Sequence, residues 1–79
     1  MMEKSITVYT TTQCPYCTMS KGFLTQNNIP FKEINVEKDP IMMQNVEKQT
    51  GQMGVPQTEI DGNWVLGFAP EKIIEALKY

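Results

Sequence analysis

Residues Ile6–Cys17 read "ITVYTTTQCPYC". The first five, Ile6 to Thr10, are β-branched or aromatic, the composition of a buried strand. Pro15 then marks a helix start, because a first turn has no use for the N–H that proline lacks. Beyond it, Cys17, Ser20 and Leu24 share one helical face, as do Met19 and Phe23, and Asn27-Asn28 ends the segment. Phe31 to Val36 alternates loosely, with Phe31, Ile34 and Val36 apolar, and reads as a second strand. A strand, a helix and a strand at this spacing form a parallel unit with a right-handed crossover.

The rest of the chain extends that unit. Asp39-Pro40 is an N-cap followed by proline at the first helical position. Met42, Val46 and Gln49 follow at helical spacing, and Gly51 suits the C-cap. A short strand is expected over Gln57–Ile60. Asp61-Gly62 is a strong hairpin signal before a partner strand, Asn63–Leu66. Ala69-Pro70 opens a last helix with Ile73, Ile74 and Leu77 on one face. The order β-α-β-α-β-β-α predicts an α/β fold: a four-stranded mixed sheet flanked by helices, one domain over residues 1–79.

Composition narrows the function. At 79 residues the chain has room for one modest core. Its apolar runs are too short to span a membrane. Met1 to Ser5 has no long apolar stretch behind it, so no signal peptide and a cytoplasmic location are expected. Nine acids face seven lysines, with no arginine and no basic cluster, which argues against nucleic acid as a partner. The absence of histidine removes Cys-His and Ser-His nucleophile pairs and any imidazole metal ligand. Nothing in the composition demands more than a monomer.

The chemistry therefore rests on Cys14 and Cys17, the two cysteines of the chain. Three roles compete. A structural disulfide would close a very small loop and add little stability, and a reducing cytoplasm would open it. A zinc site needs four ligands, so two thiolates require a second chain or carboxylates. Disulfide exchange fits best, as CxxC beside a βαβ unit reads as a redox motif. A helix N-terminus favours negative charge, so Cys14 should ionise well below the ordinary thiol range. Cys17, nearly one turn deeper, should be the less exposed thiol. Cys14 would then attack a client disulfide and Cys17 would resolve the mixed disulfide. Pro15 stiffens the loop, and Tyr16 offers aromatic surface beside the attacking sulfur. Lys21, four residues after Cys17, is placed to tune its charge. Lys21, Lys48 and Lys72 are otherwise expected to be solvated.

These residues resemble the glutaredoxin-like branch of the thioredoxin superfamily over nearly the whole chain. "VYTTTQCPYC" is similar to that family's strand and active-site loop, "GVPQ" at Gly54–Gln57 to its proline loop, and "WVLGFAPEKI" at Trp64–Ile73 to its final strand-to-helix turn. The resemblance implies a thioredoxin-like fold and a dithiol-disulfide oxidoreductase with no bound cofactor and no metal. Pro56 alone reads as a strand-edge proline. The resemblance instead implies a cis Val55–Pro56 bond, with Pro56 against the disulfide and the Val55 backbone free to pair with a substrate strand. It also implies substrate or glutathione contacts from Thr12, Pro15, Tyr16, Gln52, Val55, Pro56, Gly67 and Phe68.

The expected reductant is glutathione or thioredoxin reductase, and the expected substrates are protein disulfides or glutathione mixed disulfides. Glutathione-binding members carry a basic residue where this chain has Thr11. They also carry aspartates at the last helix start, where this chain has Leu66-Gly67-Phe68-Ala69-Pro70. Losing two charge-assisted contacts weakens binding by about 2 to 4 kcal/mol, a factor of tens to hundreds. The "W-x-x-G-F-x-P-x-x-I" ending resembles NrdH-type redoxins, which thioredoxin reductase recharges and which supply ribonucleotide reductase. Those proteins carry other residues between the cysteines, and often an arginine at the position of Ala69. An alternative is a metal or iron–sulfur carrier using the same thiols as a dimer. Phe68 has a second reading as a core residue, and Trp64 is equally compatible with core and surface. Met42 and Met43 read as gap-fillers, and Met53 as a candidate lining of the substrate groove.

Overall fold

The computed structural model describes residues 5–52 and 54–78. The expectations for Met53 and for the leading segment before Ser5 lie outside those residues. The elements are β1 (Ile6–Thr10), α1 (Pro15–Gln26), β2 (Lys32–Asn35), α2 (Pro40–Thr50), β3 (Gln57–Ile60), β4 (Asn63–Leu66) and α3 (Pro70–Leu77). The element order matches the sequence expectation. β2 is shorter than the expected Phe31–Val36, its register with β1 running from Lys32 to Asn35.

The sheet order is β2-β1-β3-β4. β1 pairs with β2 in parallel, from Thr7↔Lys32 to Thr10↔Asn35. β3 runs antiparallel to β1 and to β4. In the β3–β4 turn both central residues have positive φ, 48° at Asp61 and 87° at Gly62, the geometry that matches strand twist in a two-residue hairpin. Asp61 also ties β1's entry, accepting from the Ser5 N–H at Oδ1 (3.0 Å) and donating its own N–H to the Ser5 carbonyl (3.0 Å).

Alternation along β1 divides the core in two. Ile6 and Val8 join Leu24, Ile60, Val65, Ile73 and Ala76 in a cluster shared with α1 and α3. Tyr9, Val36 and Val46 form a second cluster toward α2, with Val55 and Trp64 packed against it. Trp64 resolves as half-buried, its ring stacked on Tyr9 with centroids 5.4 Å apart. All three helices present a residue differently from expectation. Ile74 is exposed and Ala76 takes the buried place on α3, because i and i+3 from Ile73 point at the sheet. Gln49 and Met19 likewise face outward, leaving Val46 and Leu24 as the buried anchors of α2 and α1.

The helix ends obey local chemistry. Asp39 Oδ1 accepts from the Met42 N–H (3.2 Å), capping α2, and Gly51 closes it at φ 74°. Asn27 closes α1 by donating its side-chain N–H to the Phe23 carbonyl (2.8 Å). Among the described residues, no helix is long and apolar enough to cross a membrane.

Candidate active site

Strand directions gather the site at one end of the sheet. β1 and β2 finish there, β3 begins there and β4 finishes there. Each helix follows a strand that ends at this side, so all three helix N-termini face it. One step beyond the last β1–β3 pair, Tyr9↔Gln57, the two chains continue as Thr10 and Pro56. The Gly67 N–H donates to the Pro56 carbonyl (2.8 Å) and draws the β4–α3 turn to the same place. Gly67 has φ 77°, a conformation that favours glycine.

Cys14 is the N-cap of α1, in extended conformation, and Cys14 and Cys17 form a disulfide with Cα atoms 5.1 Å apart. The Cys17 N–H donates to the Cys14 sulfur at 3.1 Å. Cys14 thus fills the role of a capping oxygen, placing its sulfur on an otherwise unpaired donor. Cys14 is half-buried, whereas Cys17 is only 2% exposed. The expected asymmetry of the two sulfurs is present. Pro15 and Tyr16 are exposed beside them, Tyr16 at 61%.

The remaining candidates lie in the chain segments that lead into and out of the strand ends on this side. Val55–Pro56 is a cis peptide bond, with Pro56 buried and Val55 half-buried. Among the described residues, neither backbone group of Val55 takes part in a hydrogen bond. Gln52 is exposed, and its carbonyl and that of Gly54 accept from the Gln57 side-chain amide at 3.0 and 2.8 Å. Phe68 is half-buried and belongs to neither core cluster. Thr12 is exposed, and β2's end holds it: its N–H donates to Glu37 Oε1 (3.1 Å) and its hydroxyl accepts from Asn35 Nδ2 (3.3 Å).

Lys21 departs from expectation. It pairs with Glu33 on β2 at 2.9 Å, and Glu33 also accepts from the Thr10 hydroxyl at 2.9 Å. Its ammonium is thereby held against β2 and joins α1 to that strand. The hydrogen bond from Lys21 holds the Glu33 carboxyl below its ordinary value, against a smaller opposing effect of burial, with Thr10 and the Lys21 charge adding to the lowering. On the other face, burial pushes the Tyr9 phenol up, and the neighbouring Glu59 carboxylate, which accepts its hydroxyl at 3.3 Å, adds to this. Among the described residues, no group of three or more His, Cys, Asp or Glu side chains is placed to hold a metal ion.

Two residues of this region carried no signal that sequence reading picked up. Gln57 sat in an expected strand, yet its buried side chain pins the loop before Pro56. Glu37 sat in an acidic loop, yet it fastens the active-site loop. A glutamine at the first residue of a strand, just after a proline, was the available hint for Gln57.

Comparison with known proteins places this arrangement. The glutaredoxin family model matches residues 6–65. The chain belongs to the glutaredoxin family. An uncharacterised glutaredoxin-like protein of the rubredoxin operon in Clostridium pasteurianum is 37% identical over 68 residues, spanning 86% of this chain and 91% of its own. A thioredoxin-like protein of known crystal structure superposes with TM-score 0.85 at 36% identity, over 92% of this chain and 100% of its own. The glutaredoxin-like NrdH-redoxin of Escherichia coli, whose structure was described for its thioredoxin-like activity profile, superposes with TM-score 0.82 at 25% identity, over 90% and 92%. This glutaredoxin has the thioredoxin-like fold and the CxxC pair of a thiol-disulfide oxidoreductase.

Proposed function

We propose that Cys14 is the attacking thiol and Cys17 the resolving thiol in reduction of protein disulfides. The observation that carries this reading is the asymmetry of the pair: a half-buried sulfur capping a helix, beside one that is 2% exposed. The Cys17 N–H and the helix dipole favour the Cys14 thiolate once the disulfide is reduced. That thiolate attacks one sulfur of the client disulfide. The client's S–S bond breaks, and its second sulfur leaves as a thiolate that takes a proton from solvent. Cys17 then gives up its proton and attacks the Cys14 sulfur. The mixed disulfide breaks, the client departs fully reduced, and two electrons have passed to it.

The N–H and carbonyl of Val55, unpaired among the described residues, receive an extended client segment by strand pairing. Tyr16 and Phe68 supply the aromatic surface around it, with Thr12, Pro15, Gln52, Pro56 and Gly67 completing the rim. Clients are folded or peptide disulfides, ribonucleotide reductase being one such protein. The electron donor is a reductase of the thioredoxin type rather than glutathione. Thr11 and the Leu66–Pro70 turn lack the charged groups that a glutathione clamp uses, and the likeness to an NrdH-redoxin supports the same side.

The test supplies the oxidised protein with NADPH and either thioredoxin reductase or glutathione with glutathione reductase. Rapid NADPH consumption is expected with the first system, and consumption slower by at least about tenfold with the second, the lower end of what two lost charged contacts cost. Faster turnover with glutathione would reject the assignment of the donor.

A further inference from the structure

The end of β2 does more than continue the sheet. Thr12 is held from two sides, by Glu37 through its N–H (3.1 Å) and by Asn35 through its hydroxyl (3.3 Å). The Glu37 N–H in turn donates to Asn35 Oδ1 (3.0 Å), so the three residues form a closed ring. The adjacent backbone is fixed as well, since the Val36 N–H donates to the Thr10 carbonyl at 2.8 Å. The loop between β1 and Cys14 is therefore fastened to the loop between β2 and α2. One of its fasteners is a carboxylate.

We infer that Glu37 is a specificity-determining residue for the thiol that reduces Cys14–Cys17: its tethered negative charge disfavours anionic thiols. The carboxylate is bonded two residues before Cys14, which puts it on the order of 10 Å from the sulfur. The helix N-termini at this end offer partial positive charge, and Glu37 is an acid fastened directly to the Cys14 loop. Lys38 and Asp39 follow it. Lys38, exposed and without an ion pair among the described residues, and Asp39, whose carboxylate caps α2, carry opposite charges that offset each other to first order and leave the charge of Glu37. Glutathione carries two carboxylates and one ammonium, and so approaches with a net negative charge. A unit charge at this distance in a largely aqueous setting changes an encounter rate by about two- to fourfold. The inference rests on the exchange chemistry proposed above but not on any client or reductase.

The experiment follows the reduction of the protein's own disulfide by three small thiols whose attacking thiolates differ in net charge: glutathione (-2), 2-mercaptoethanol (-1) and cysteamine (0, a zwitterion). Quenching and alkylation, read by mass, give each second-order rate constant at about 10 mM salt, where the screening length is about 30 Å. Glu37→Gln keeps an acceptor for the Thr12 N–H and removes the charge. It is expected to raise the mercaptoethanol rate about two- to fourfold, raise the glutathione rate by more, and leave the cysteamine rate nearly unchanged. About 1 M salt, with a screening length near 3 Å, should abolish the difference. Equal changes for all three thiols would assign Glu37 a purely structural role and overturn the inference, as would no change for any of them. Because these rates need no enzyme partner, failure here is distinguishable from failure of the proposed donor.

Discussion

Gln57→Leu separates stability from client recognition. The Gln57 side chain is 1% exposed and donates to the carbonyls of Gln52 (3.0 Å) and Gly54 (2.8 Å), holding the loop that presents Val55. Removing two such bonds costs about 0.5 to 1.5 kcal/mol each. The same side chain has a buried oxygen, Oε1, with no partner, and leaving such an acceptor unsatisfied costs about 1 to 3 kcal/mol. Leucine has similar volume and removes both effects at once. The two nearly cancel, so stability should change by less than about 1 kcal/mol, and Tm by less than about 8 °C for a chain of this size. Recognition has no such compensation. Once the Gln52 and Gly54 carbonyls are released, Val55 is no longer fixed, and losing one or two strand-pairing bonds should lower kcat/KM for a peptide disulfide by about tenfold, mainly through KM. A small disulfide such as hydroxyethyl disulfide makes no strand pairing and should keep its rate within about twofold. The assays are thermal unfolding of the oxidised protein and steady-state kinetics on both substrates. A Tm drop above about 15 °C, or equal losses on both substrates, would refute the reasoning.

Two further outcomes test the scaffold around the site. The folded Glu33 carboxyl titrates below its unfolded value, so its contribution to stability is full above the unfolded value and is lost as pH falls through the folded one. Glu33→Gln should flatten that acid limb of a denaturation series by under about 1 kcal/mol, since water screens a pair whose side chains are 32% and 39% exposed. Asp39→Ala removes the cap from the Met42 N–H and should cost about 0.5 to 2 kcal/mol in urea unfolding, whereas Asp39→Asn should restore most of it.

Much of this fold is written in local chemistry. Asp39-Pro40 starts α2, Gly51 ends it, and Asp61-Gly62 turns β3 into β4, each through an interaction within a few residues. The Cys14-Pro15 junction is legible for the same reason: helix start, capping sulfur and buried second sulfur are all local consequences. Contacts set by strand register are not legible in the sequence. Glu33 meets Lys21 and Thr10 because β2 lies parallel beside β1 with Val8 opposite Glu33, which no periodicity reveals. Trp64 stacks on Tyr9 across the intervening strand β3, so its burial depended on the order of strands. Glu37 and Gln57 act through bonds to chain segments 25 residues away and 3 to 5 residues away respectively, and neither residue type announces that role. The outward turn of Ile74 shows the limit of a helical face drawn from hydrophobicity alone, since α3 meets the sheet along Ile73 and Ala76.

The division of labour between the two sulfurs is the centre of the account, and trapping tests it most directly. Reduced Cys14→Ser and Cys17→Ser proteins are each mixed with a peptide disulfide, quenched with acid and read by intact mass. Cys17→Ser should accumulate a mixed disulfide on Cys14, because the attacking sulfur remains and the resolving one is gone. Cys14→Ser should accumulate almost none, since Cys17 is 2% exposed and does not hold the capping position. Efficient trapping on Cys17 in the Cys14→Ser protein would contradict the account.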